Sequence, residues 1–204
     1  MTEKDYLKDP CGASSLPFWK TELITPPENV SVIKADSYSP APGERAEPYF
    51  KLLHSLKDIP PAPLPEGFIP VPLGFSGFAE HIASCYEREG VSKEELSSYA
   101  SRPVYAPELW LAVAEQNTGL IAATGIAELD PRIGEGALEW IQVSPAYRRR
   151  GLGAYLVCEL LRRMRRSASF ATVSGRLLSP SRPLELYLSC GFTRPVIWQV
   201  VTRE

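Results

Sequence analysis

The run Arg148-Arg149-Arg150-Gly151-Leu152-Gly153 sets three guanidinium groups directly before two closely spaced glycines. Such a run suits an anion, because glycines let backbone N–H groups approach a phosphate with no Cβ in the way. If a helix starts there, its free amides and the positive end of its dipole point at the same place. Downstream lies a second run, Leu186-Tyr187-Leu188-Ser189-Cys190-Gly191-Phe192, with a phenol ahead of a Gly-Phe pair.

The elements that must position these groups follow from periodicity. Leu138 to Val143 reads as a buried strand, Ser144-Pro145 as a turn, and the chain from about Gly151 as a helix with Leu152, Leu156, Leu160 and Met164 at intervals of four. Arg162, Arg163, Arg165 and Arg166 crowd its end, where cations complement the dipole. Phe170 to Gly175 is then a buried strand parallel to the first, since a helical crossover separates them. Leu184 to Cys190 reads as a short helix opened by Pro183 and closed by Gly191, and Val196 to Val201 as a closing strand.

Before the loop, Gly67 to Leu73 has the prolines of an edge strand. Ser76 to Glu89 and Ser92 to about Ala100 read as helices, the second opened by the capping box Ser92-Lys93-Glu94-Glu95. His81, on the first, is expected to face solvent or a partner side chain. Leu109 to Glu115 and Leu120 to Leu129 form a hairpin on Gln116-Asn117-Thr118-Gly119, and Ala137 to Val143 adds a third antiparallel strand.

Thirteen of the 20 prolines precede Leu73, which sets off an irregular N-terminal third. The division expected is an extension over 1–63, packed on a main domain over 64–204, with Ile59 to Pro65 as a stiff connector. Val30 to Ala35 reads as a strand, and Glu47 to Ile59 as a short helix with Phe50, Leu53, Leu56 and Lys57 near helical spacing. His54 on that helix is expected to be solvated or cap-like.

The 204 residues carry a net charge of -2 with 44% hydrophobic and 23% charged residues, an ordinary globular balance with no bulk attraction for nucleic acid or an anionic membrane. The longest apolar runs fall short of a membrane span, and the charged start Met1 to Tyr6 leads to the expectation of a cytoplasmic protein. Cys11, Cys85, Cys158 and Cys190 are too scattered for a zinc site or disulfide framework and read as free thiols, so no metal is expected.

Taken with the strand order, the Arg148 to Gly153 run and the Leu186 to Phe192 run resemble the signatures of the GNAT superfamily of acyl-CoA-dependent N-acetyltransferases, over about Gly67 to Glu204. The resemblance implies an α/β (α+β) fold with a mixed, mostly antiparallel central sheet and flanking helices. It implies acetyl-CoA as co-substrate, with the amides from Arg149 to Ala154, namely Arg149, Arg150, Gly151, Leu152, Gly153 and Ala154, around the pyrophosphate and Arg148 at the first position of the motif. Ile141, Gln142 and Val143 would pair with the pantetheine arm where two parallel strands splay, and a backbone N–H there would meet the thioester oxygen. Core packing explains Ile141 and Val143 equally well.

The reaction implied is direct attack of a primary amine on the thioester, with Tyr187 as acid to the leaving sulfur and Glu139 as base, Glu128 standing second. Strand alternation puts Glu139 on the face of Ile141 and Val143, unless a bulge intervenes. The acceptor expected is a small-molecule amine before a protein, and a homodimer stays open as an assembly. A non-catalytic acyl-CoA-binding or regulatory domain of the same fold is the alternative. Two departures from the family pattern stand out: Pro180 occupies a position where an asparagine is common, and the chain after Phe192 holds room for one closing strand where two are usual. An N-terminal strand, Val30 to Ala35, is then expected to cover the sheet edge.

Overall fold

The computed structural model describes residues 1–86 and 90–203. Three short helices come first: α1 (Glu3–Lys8), capped by Thr2, α2 (Pro10–Ala13), capped by Asp9, and α3 (Phe18–Thr21). Two strands follow, β1 (Val30–Lys34) and β2 (Glu44–His54), then β3 (Phe68–Val71) and the helices α4 (Phe75–Cys85) and α5 (Lys93–Tyr99). The capping box is formed, with Ser92 Oγ accepting from the Glu95 N–H at 3.0 Å. The expected end of α4 at 87–89 lies outside the described residues. The meander β4 (Trp110–Glu115), β5 (Ile121–Asp130) and β6 (Glu135–Val143) leads through α6 (Leu152–Met164) to β7 (Phe170–Arg176), α7 (Pro183–Ser189) and β8 (Thr193–Arg203).

The described strands form one sheet of eight in the order β1-β8-β2-β7-β6-β5-β4-β3, antiparallel throughout except for the β6/β7 pair. This is the mixed, mostly antiparallel α/β architecture that the family resemblance implied. Helices α6 and α7 cover one face over a core of Leu156, Leu160, Phe50, Leu52 and Phe192. Helices α4 and α5 cover part of the other face, around Phe78, Ile82, Leu96 and Ile126. No described helix is long and apolar enough to cross a membrane.

The N-terminal third departs from expectation at one element. Glu47 to Ile59 is no helix: residues 44–54 are β2, inserted between β7 and β8 and paired with both. The spacing of Phe50, Leu53 and Leu56 permits a helix, but a gap with hydrogen-bonding partners on both edges overrides so weak a local preference. Period two then sends Phe50, Leu52 and His54 towards α6 and α7 and Lys51 to the opposite face, all four fully buried. His54 is accordingly not solvated, although its role is cap-like, since Nδ1 accepts from the Leu56 N–H at 2.9 Å. The missing closing strand is thus supplied from the N-terminal side, and β1 covers the outer edge of β8 as expected.

Buried polar contacts hold α1 to α3 on the sheet. Lys51 Nζ donates to Tyr6 Oη (2.9 Å), Pro10 O (3.0 Å) and Leu16 O (2.7 Å), which satisfies its three protons. Glu135 on β6 accepts from Tyr6 Oη (2.5 Å), the Phe18 N–H (2.8 Å) and Thr172 Oγ1 (2.6 Å). Burial pulls the Lys51 ammonium down to about 8 and raises the Glu135 carboxyl. The network fixes α3 beside the strand that carries the candidate site.

Candidate functional site

The β6/β7 ladder is short. Glu135 to Leu138 pairs with Phe170 to Val173, and beyond Leu138 the two parallel strands no longer pair. At the same point β6 carries a bulge, because Ile126 faces Trp140 and Ala127 faces Leu138, which leaves Glu139 as the extra residue. The parted strands border two cavities of about 390 Å³ and 670 Å³ that share Cys85, Ile141, Arg148 and Tyr187 in their walls, so they form one cleft.

One half of the cleft is the start of α6. Arg149 (φ 64°) and Gly151 (φ 87°) both adopt the left-handed conformation that turns the loop into the helix. No side chain caps α6, and the Tyr155 N–H makes the first helical bond, to Gly151 O at 3.0 Å. The amides before it are free to meet a ligand. A Cβ on Gly153 would sit 3.2 Å from Leu186 Cδ2, so the glycine permits the close passage of α6 against α7. Ile141, Gln142, Val143, Arg148, Arg149, Gly151, Leu152, Gly153 and Ala154 all line this half, and Arg150 does not: its guanidinium stands 5.4 Å from the Tyr147 ring centre. Arg148 Nε donates to Val143 O at 3.2 Å.

Tyr187 comes from α7, which Pro183 opens. Its ring packs against Phe192 (5.6 Å between centres) and Phe50 (6.0 Å), and burial raises its phenol well above the ordinary value. It lines both halves of the cleft.

Glu139 lines the larger half, and the bulge decides its direction. Leu138 belongs to the α6 core while Trp140 packs beside Tyr86 on the α4 side, and Glu139 turns to that second side as well. There it accepts from Lys20 Nζ of α3. Lys20 Nζ is also 4.0 Å from Glu128 Oε2, within ion-pair range but beyond a hydrogen bond, and that oxygen is buried with no hydrogen-bond partner. Arg102 Nη1 donates to Glu128 Oε1 at 2.8 Å while its guanidinium stacks 3.2 Å from the Tyr99 ring centre. Burial, together with the nearby Glu139 charge, pushes the Glu128 carboxyl up to about 7. Alternation from Ile141 thus points to the wrong face for Glu139, and the carboxylate named second proves to be its neighbour.

Several residues of the site carried no signal in the sequence. Of the two placements expected for His81 the structure shows the second, partner side chains: it is buried, with Nδ1 2.8 Å from Thr124 Oγ1 and Nε2 2.8 Å from Ser144 Oγ, and Gln142 Nε2 donates to the same Thr124 hydroxyl. Desolvation brings its imidazole down to about 4, so it is neutral at pH 7. Its helix neighbour Cys85 reaches the cleft wall with Sγ 3.7 Å from His81 Nε2. Arg182, in a left-handed conformation at the start of α7, adds a further cation to the loop half. The run from Ser179 to Pro183 carries no motif, and only the tertiary approach of α7 to α6 makes it a wall. Among the described residues no three His, Cys, Asp or Glu side chains converge to hold a metal ion.

Residues 107–194 match the family model of the acetyltransferase (GNAT) domain. A GCN5-related N-acetyltransferase from Sphaerobacter thermophilus superposes with a TM-score of 0.67 at 22% identity, over 91% of this chain and 63% of its own. A tandem GNAT protein from the clavulanic acid biosynthesis pathway gives 0.55 at 16% identity, over 83% and 62%. A GNAT-family acetyltransferase from Colwellia psychrerythraea gives 0.54 at 14% identity, over 78% and 57%. The chain therefore spans under two thirds of the length of each, and at these identities the likeness is one of fold. No curated protein matches the sequence. The parted strands, the glycine-started helix and the comparisons agree: residues 107–194 match the GNAT acetyltransferase domain, and the chain has the fold of that family's solved structures.

Proposed function

We propose that the chain is an N-acyltransferase that moves an acetyl group from acetyl-CoA to a small primary amine by direct attack. The observation that carries this reading is the parting of β6 and β7 beyond Leu138, which opens onto the uncapped start of α6 and leaves Tyr187 and Glu139 on one cleft. The amides of Arg149 to Ala154 take the pyrophosphate, with Arg149 and Arg182 supplying charge. The backbone of Ile141 to Val143 takes the pantetheine arm as an added strand would be taken. When bound, acetyl-CoA supplies an activated acyl thioester.

The chain's own residues then have two proton tasks. Glu139 and Glu128 are neighbouring carboxylates beside the cleft that can take a proton from an incoming ammonium, Glu128 with its carboxyl raised to about 7. Tyr187 keeps its proton at any working pH and is placed to give it to the departing sulfur. The volume of the larger half, about 670 Å³, suits a small-molecule acceptor. A thermal-shift titration tests the binding half of this reading. Acetyl-CoA should raise the melting temperature of the native chain and leave that of Arg149→Glu/Gly151→Ala unchanged, whereas an undiminished shift in the double variant would remove the loop from the site.

A further inference from the structure

A primary amine already stands at the proposed proton acceptors. Lys20, 16% exposed, donates from Nζ to Glu139 and lies 4.0 Å from Glu128 Oε2. Its backbone is held there: the Phe18 N–H is fixed by Glu135 at 2.8 Å, Phe18 is buried, and Thr21 Oγ1 closes the turn onto Phe18 O at 2.7 Å. Surface ion pairs contribute little stability, and a lysine drawn between two carboxylates, one of them buried with an unpaired oxygen, loses solvation and rotamer freedom for a modest return. Glu139 sits at the bulge where the cleft opens and shares its walls with Ile141 and Tyr187. The amine is therefore where an acceptor nitrogen has to be deprotonated.

We propose that Lys20 is itself an acyl acceptor, modified in cis at the cleft that its partner Glu139 lines. This rests on the acyl-transfer reading above. A carboxylate of the Glu128/Glu139 pair removes one proton from the Lys20 ammonium and passes it to solvent. The neutral Nζ forms a C–N bond to the acyl carbon, the C–S bond breaks, and the electron pair leaves with sulfur. The second proton lost by nitrogen balances the one that sulfur gains, with Tyr187 as donor. The products are an uncharged Nε-acyl-Lys20 and free CoA thiol, and the amide no longer pairs with Glu139. An amine from outside then reaches the same carboxylates without displacing a cation.

The test is intact-mass analysis and peptide mapping of the full chain incubated with acetyl-CoA. One acetyl group should appear on Lys20, at a first-order rate independent of protein concentration, and absent from Lys20→Arg, which keeps the cation. The rate should fall about 100-fold in Glu128→Gln/Glu139→Gln, the lower range for loss of positioned proton transfer. An unmodified Lys20 in protein that is stabilised by acetyl-CoA and acylates an added amine overturns this proposal and leaves the acyl-transfer reading standing. Equal labelling of Lys20 in heat-denatured protein overturns it too, as uncatalysed chemistry. Absence of any stabilisation by acetyl-CoA overturns both.

Discussion

Tyr187 and Glu128, both proposed for the proton chemistry, each make a distinct prediction. Tyr187→Phe keeps the ring that packs on Phe50 and Phe192 and removes only the hydroxyl. Its kcat should drop about 100-fold with CoA affinity unchanged, read by initial rates and thermal shift, because the leaving thiolate then goes unprotonated. Glu128 makes a pH prediction. Its carboxyl titrates near 7 in the folded chain and in the ordinary range when unfolded, so between about pH 4.5 and 7 the folded state holds a proton that the unfolded state has lost. Stability from this group is undiminished below that window and declines as pH rises through it. Glu128→Gln should therefore gain stability relative to the native chain as pH rises from about 4.5 to 7, measured by denaturant melts in buffers across that range. A constant difference across the window would show that Glu128 titrates normally. At this scale Arg148, Arg149 and Tyr187, which line the cleft, stand out in the sequence because they sit in short runs, whereas nothing in the run tells that Arg150 turns to Tyr147. Glu139 is legible as a residue but not in its direction, since one bulge reverses which face it occupies.

The elements divide by how far their contacts reach along the chain. The β4/β5 hairpin, the capping box of α5 and the amphipathic α6 read correctly because turn residues, a cap and a period of four are local. The strand β2 did not, because what makes it a strand is the slot between β7 and β8, more than a hundred residues away. Gly175 of β7 marks that slot: a Cβ there would lie 2.7 Å from Phe50 Cζ of β2, too close for any side chain without displacing the ring. Gly175→Val should cost about 2 kcal/mol through overpacking. Chemical denaturation checks it, and Gly175→Val/Phe50→Leu should recover part of the loss. Full tolerance of the single change would mean that β2 is not held in that slot.

For the molecule as a whole, the consequence is a sheet that its C-terminal part does not complete. Residues before Pro60 bring β1, β2, the Lys51 and Glu135 network and Lys20. Removing residues 1–59 should leave β7 and β8 with open edges and yield an aggregating or unfolded product, followed by sedimentation and circular dichroism. A soluble, folded remainder would show that the first two strands are dispensable. The sequence held the hint in the single strand that follows Phe192, yet the register of the completion depends on contacts between distant segments, which no local pattern records.

The claim at the centre of this account is that the cleft between β6 and β7 transfers an acyl group to an amine. Free thiol released from acetyl-CoA, measured against a pooled panel of small primary amines, tests it most directly. The account predicts amine-dependent thiol release that rises with pH towards neutrality, as Glu128 ionises, and that falls about 100-fold in Tyr187→Phe. Acetyl-CoA binding with no amine-dependent release from any member of the panel, or release untouched by Tyr187→Phe, would contradict it.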